Sequence, residues 1–256
     1  MKRPLRTVLI LVGGLVALGG ILMVAWTGLS LLSRHDVRDS RDFTLSAGNL
    51  VIDTDEGGVT LEAGEPGVVR VERRVTDGIN GPSPTWSLEG DRLKLRLHCP
   101  NGFAVACGGS YVVKVPIGVP LTVRTDDGGV TASGLRQDID ASTDNGGIDI
   151  SDCTGNLTLS TDNGGVDVAR TTADRITAKT DNGHIRVRLD NAPHEVRATT
   201  DNGGILVRVP RDDNAYAVQA DTDNGGKSVQ VPSDPRSPRV IVARTDNGGI
   251  DIDWTK

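Results

Sequence analysis

The sequence predicts an all-β protein: a two-sheet parallel β-solenoid with about 18–23 residues per rung, preceded by one transmembrane helix. Three observations carry this prediction. One short phrase recurs at a nearly fixed period, apolar and polar residues alternate on both sides of it, and the composition is that of turns and strands. Gly accounts for 32 of the 256 residues, 28 of the 34 acids are Asp, and 22 of the 28 bases are Arg. Asp and Gly favour turns whereas Glu and Lys favour helices, which argues against a helical bundle. The net charge of −6 argues against a nucleic-acid binder, which needs a basic face.

The phrase is T-D-N-G-G followed by Ile or Val. It begins at Thr143, Thr161, Thr200 and Thr245, with variants at Thr54, Thr125, Thr180 and Thr222. From Thr125 onward the steps are 18, 18, 19, 20, 22 and 23 residues, as expected of one fixed corner and one corner that tolerates insertion. With Thr as position zero, positions −4 and −2 are apolar, as in Ile139 and Ala141 or Leu157 and Leu159. Positions +5 and +7 are apolar again, as in Ile148 and Ile150 or Val166 and Val168. Period-two alternation around a Gly-rich turn is a strand–turn–strand pattern. The phrase at Thr222 departs from it, with Lys227 at +5 and the apolar pair displaced to Val229 and Val231.

Two architectures fit. Asn-Gly is a type I′ hairpin turn in an antiparallel meander or sandwich, or each unit is one rung of a solenoid. Recurrence of one phrase favours the solenoid, because stacked corners share identical surroundings whereas hairpin turns need not match. Thr then forms an inward column and Asn a second column, each member ~4.8 Å from the next. The repeat domain spans 49–256, with an irregular insertion at about 64–120 that belongs to the same sheets.

Ahead of it, Lys2, Arg3 and Arg6 form a short basic tail, 1–6, and residues 7–33 carry no charge. At 1.5 Å per residue this run exceeds the ~30 Å hydrocarbon core, and it is too long for the core of a cleaved signal. The positive-inside rule places the tail in the cytoplasm, residues 34–48 as a linker, and the repeat domain outside, at the cell membrane.

The run from Tyr111 (VVKVPIGVPLTVRTDDGGV) and the closing PRVIVARTDNGGIDI resemble a large bacterial family of candidate adhesins. Long filed as a domain of unknown function, it is similar to the toastrack domains of envelope-stress membrane proteins. Pro116, Gly118, Leu121, Val123 and Thr125 match its lead-in pattern, and the resemblance runs from about Asn49 to Ile252. It implies a membrane-tethered parallel solenoid and no catalytic motif.

Cys99 and Cys107 bracket a short loop and, outside the cell, are expected to form a disulfide. Cys153 is left over as a small buried residue. Asp126, Asp144, Asp162, Asp181, Asp201, Asp223 and Asp246 stack on one edge, as do Asn145, Asn163, Asn182, Asn202, Asn224 and Asn247. Each Asp is expected to accept backbone N–H groups of its own corner in an Asx-turn. No cofactor is expected; calcium is the alternative for this edge, although an acid follows the apolar residue only at Asp149, Asp167 and Asp251. Arg124, Lys179, Arg197 and Arg244 are read as ordinary solvated charge of the outer face, with a basic stripe across the rungs that takes an anionic envelope polymer as the alternative. His35, His98, His184 and His194 are scattered and fall in no nucleophile motif.

The function these readings imply is a non-catalytic, membrane-tethered binding, adhesive or structural module of the cell envelope. A stress-sensing ectodomain working through another membrane protein is one alternative. A polysaccharide-active enzyme is the other.

Overall fold

The computed structural model describes residues 35–77, 83–98, 108–211 and 214–255, together with Gly19, Gly20 and Met23. The chain opens with β1 (His35–Thr44), then forms a first rung from β2 (Leu50–Glu56) and β3 (Gly58–Gly64). An excursion follows through β4 (Val68–Asp77), β5 (Ser83–Glu89), β6 (Arg92–His98) and β7 (Gly109–Pro116). Five regular rungs come next: β8 (Leu121–Asp127) with β9 (Val130–Ser133), β10 (Ile139–Asn145) with β11 (Ile148–Ser151), β12 (Leu157–Asn163) with β13 (Val166–Thr171), β14 (Arg175–Asn182) with β15 (Ile185–Leu189), and β16 (Glu195–Asn202) with β17 (Ile205–Val209). Two more rungs close the chain, β18 (Ala217–Asn224) with β19 (Lys227–Val229) and β20 (Val240–Asn247) with β21 (Ile250–Trp254).

Each repeated phrase ends a strand of one sheet and launches a strand of the other, so the Asn-Gly corner is no hairpin. Neighbouring rungs pair in parallel and in register: Leu121, Ile139, Leu157, Ile176 and Val196 form one aliphatic column. Val130, Ile148, Val166, Ile185, Ile205 and Ile250 form the facing one. These residues are fully or almost fully buried between the sheets. The alternation at −4, −2, +5 and +7 therefore reports the core directly.

Rung order departs from chain order at both ends. β20 lies between β16 and β18, and β21 lies between β17 and β19. The chain thus builds its terminal rung first and then returns to fill the place beneath it. This accounts for the irregular phrase at Thr222. With no rung beyond it, position +5 needs no apolar side chain, and the three-residue β19 carries Lys227, a residue type that blunts an exposed sheet edge. At the other end, β6 and β7 stack outside the first rung, whose β2 and β3 pair on their inner sides with β8 and β9. The insertion at 64–120 accordingly extends both sheets, as expected. Among the described residues antiparallel pairing is confined to this cap, between β1 and β4, β4 and β7, and β5 and β6.

The stretch 34–48 is not a linker. Ten of its residues form β1, the edge strand of the larger sheet, held to β4 by full backbone register. Its charges are used across the strand pair: Arg70 grips Asp42 at 2.7 and 2.8 Å, and Arg73 reaches Asp39 at 3.1 Å. Among the described residues no helix is long and apolar enough to cross a membrane. The tail 1–6 and the expected span 7–33 lie outside the described residues, apart from Gly19, Gly20 and Met23, which are helical.

Candidate functional site

The recurrence of the phrase has a local structural cause at its Thr, its Asn and its first glycine. Thr at position zero points inward and, apart from the half-buried Thr222, is buried; beyond the first two phrases, where Thr54 donates to the Glu56 carbonyl and Thr125 has no partner among the described residues, its hydroxyl bonds a neighbouring rung. It donates to the first glycine's carbonyl in the adjacent rung: Thr143 to Gly128 at 2.8 Å, Thr161 to Gly146 at 2.9 Å, Thr180 to Gly164 at 2.8 Å and Thr200 to Gly183 at 3.0 Å. Thr245 and Thr222 repeat the bond to Gly203 and Gly248, both at 2.9 Å.

Asn forms a continuous amide ladder on the exposed corner. Asn224 donates to Asn247, Asn247 to Asn202, Asn202 to Asn182, Asn182 to Asn163 and Asn163 to Asn145, all at 3.1–3.2 Å. The last donor, Asn145, meets the Asp127 carboxylate at 2.9 Å. An acceptor-only group suits this end of the ladder, which is why the phrase at Thr125 reads T-D-D rather than T-D-N.

The first glycine is required by close approach. A Cβ at Gly164 would stand 2.0 Å from the Gly146 carbonyl oxygen, and one at Gly203 would stand 1.8 Å from that of Gly183. The second glycine is freer: a Cβ at Gly147 would meet nothing nearer than 3.5 Å. His184 exploits that freedom.

The Asp column behaves otherwise than expected. Asp126, Asp144, Asp162, Asp201, Asp223 and Asp246 are exposed, and Asp181 is half-buried. Asp181 lies 3.2 Å from Lys179. None of the seven closes an Asx-turn, because the corner N–H groups are already taken; the Gly146 N–H, for example, donates to the Asn163 carbonyl at 2.9 Å. Their exposure leaves these carboxylates to solvent screening rather than to the backbone. Among the described residues no three His, Cys, Asp or Glu side chains converge in a way that holds a metal ion.

The four bases of the alternative stripe do not form one. Arg124, Lys179 and Arg244 share a row, but Ser142 and Ser160 separate Arg124 from Lys179, and Thr199 separates Lys179 from Arg244. Arg197 lies in the neighbouring row, between Thr177 and Val242. Three of the four also have acids beside them: Asp181 near Lys179, Glu195 at 2.5 Å from Arg197, and Asp221 at 3.7 Å from Arg244. Cys153 is buried as expected, its Sγ 3.2 Å from the Ser151 carbonyl, and burial pushes its thiol pKa up. Cys99 and Cys107 lie outside the described residues.

One polar cluster escaped the sequence reading. The His184 ring lies over Gly165 and places Nε2 3.0 Å from Asp167. Arg186 reaches the same carboxylate at 3.3 Å and touches the His184 ring nitrogen. Asp149 lies beside Asp167 in register, and burial, then the Asp167 charge, push its pKa up, with His184 opposing. The signal was present as the +6 row, Asp149–Asp167–Arg186, with His184 two residues before Arg186.

A two-sheet stack whose repeated Thr, Asn and first glycine are spent on the next rung defines a class: a β-repeat scaffold with a rigid core and long polar outer faces. The chain belongs to the family described as Toastrack DUF4097, whose model matches residues 120–252. Among solved structures, a candidate adhesin from Bacteroides fragilis NCTC 9343 is similar, at 15% identity and a TM-score of 0.53, over 86% of this chain and 97% of that one. A candidate cell adhesion protein from Clostridium sporogenes ATCC 15579 matches at 10% identity and a TM-score of 0.37, over 86% and 100% of the two chains. No curated protein matches the sequence.

Proposed function

We propose that this protein is a non-catalytic, adhesin-like module of the cell envelope, tethered by residues 7–33 with residues 34–256 outside the cell. The observation that carries the binding role is the destination of the repeat's polar groups. Thr, Asn and the first glycine serve rung-to-rung contacts, which leaves a stiff scaffold with flat outer faces and no nucleophile, base and orienter brought together among the described residues. Extended faces of this kind suit an elongated partner, which a stack of near-identical rungs meets at regular intervals. The charge outside, 25 bases against 34 acids beyond Ser33, keeps such a module off nucleic acid. The uncharged run and its basic flank support the tether and its direction.

Two measurements test this. Proteinase added to intact cells is expected to remove a C-terminal tag; a protected tag overturns the topology. The purified full chain is expected to sediment with isolated cell envelopes and leave their polysaccharide intact. Absence of sedimentation overturns the binding role, and release of defined sugar fragments overturns the non-catalytic one.

A further inference from the structure

The outer face of β1, β4 and β7 is arranged in cross-strand rows. In one row Asp42 faces Arg70 and Arg70 faces Lys114; in the next, Ser40 faces Glu72 and Glu72 faces Val112. Every charge in these two rows has an opposite partner, Arg70 on Asp42 and Lys114, which faces Arg70, diagonally on Glu72 at 2.9 Å. The third row breaks the rule. Arg38 faces Arg74 directly, and Arg74 faces Ser110. Like charges directly opposite each other on adjacent strands are destabilising. Both arginines are exposed, and neither makes an ion pair or hydrogen bond with a described residue.

This row borders a cavity of about 480 Å³ whose wall also includes Asp39 and Glu72. Both of those acids are already matched, Asp39 by Arg73 at 3.1 Å and Glu72 by Lys114. The cavity therefore holds two uncompensated guanidiniums and a serine hydroxyl.

We infer that Arg38, Arg74 and Ser110 form a phosphate-binding site. Two planar guanidinium forks match the oxygens of a tetrahedral oxyanion, and Ser110 Oγ supplies a further donor. The bound anion removes the repulsion that the empty row carries. The phosphate comes from an anionic phospholipid headgroup or from soluble phosphate. Arg38 stands five residues beyond Ser33, the last of the uncharged run, so the headgroup source, unlike the site itself, rests on the tether proposed above.

The test uses the full chain in neutral detergent micelles, titrated calorimetrically with inorganic phosphate. Saturable binding is expected, weakened about tenfold or more in R38Q and in R74Q and unchanged in R197Q. Without phosphate, R38Q and R74Q are expected to melt at or above the wild-type temperature, since each removes one of two facing cations. That melt separates a lost site from a lost fold. No binding to wild type, or equal binding to R74Q, overturns the site. Displacement of phosphate by dihexanoyl phosphatidylglycerol supports the headgroup source; phosphate binding without displacement overturns that source and supports soluble phosphate. Both titrations are done in solution, so neither depends on which side of a membrane the domain occupies.

Discussion

A methyl group at position 164 has nowhere to go. It would stand 2.0 Å from the Gly146 carbonyl oxygen of the rung beneath, and that oxygen also accepts the hydroxyl of Thr161, in the same rung as Gly164. Relief requires two rungs to separate, so Gly164→Ala is expected to cost about 3 kcal/mol or more, the upper end of overpacking penalties. Gly147→Ala, where the nearest atom is 3.5 Å away, is the matched control and is expected to melt within a few degrees of wild type. Both glycines read identically in the phrase; only His184 hinted that the second position admits a side chain. Asp149 supplies a pH test at the same scale. Its side chain is exposed at the surface but partly desolvated, which together with the Asp167 charge raises its folded pKa, so ionising it costs more in the folded chain than in the unfolded one. That cost is absent below the ordinary carboxylate range and complete above the folded pKa. Asp149→Asn is therefore expected to match wild type at about pH 3 and to exceed it in stability at neutral pH; equal melts at both pH values would contradict the shift.

At the scale of the strand, inward and outward positions were legible because the period-two pattern is a burial pattern. Thr161 is 1% exposed, between Leu159 and the turn, whereas Ser160 faces outward and is half-buried. Thr161→Asp buries a charge with only a carbonyl for company, a loss of several kcal/mol. Ser160→Asp is expected to cost well under 1 kcal/mol, as outer-face substitutions do. Equal melting temperatures would overturn the facing. β1 was not legible for the opposite reason. H-D-V-R-D-S-R-D-F-T has charges on both faces because it is an edge strand, and those charges make sense only beside Arg70 and Arg73, some thirty residues away. The Arg38–Arg74 row was hidden with it, since a segment read as linker has no register. The basic stripe failed because rows are set by distance from the phrase. Arg197 stands three residues before Thr200, whereas Arg124, Lys179 and Arg244 stand one residue before theirs.

For the whole molecule, repeat spacing announced a solenoid but not the order of its rungs. The two longest steps, 22 and 23 residues, now have a cause: they carry the chain out to the terminal rung and back. The final strands are therefore interior ones. β20 pairs on one side with β16 and on the other with β18, and β21 lies between β17 and β19. The preceding pair, β18 and β19, is the exposed end, with Val229 41% exposed and β19 open along its length. Folding of the end rung then depends on residues that follow it in sequence. Amide hydrogen exchange of the full chain tests this most directly, because protection follows hydrogen bonding and burial rather than nearness to a terminus. Residues 240–253 are expected to exchange as slowly as β16 and β17, with residues 217–229 among the fastest strands. Fast exchange at 240–253 with strong protection at 217–229 would mean that the rungs follow chain order, and the architecture described above would be wrong.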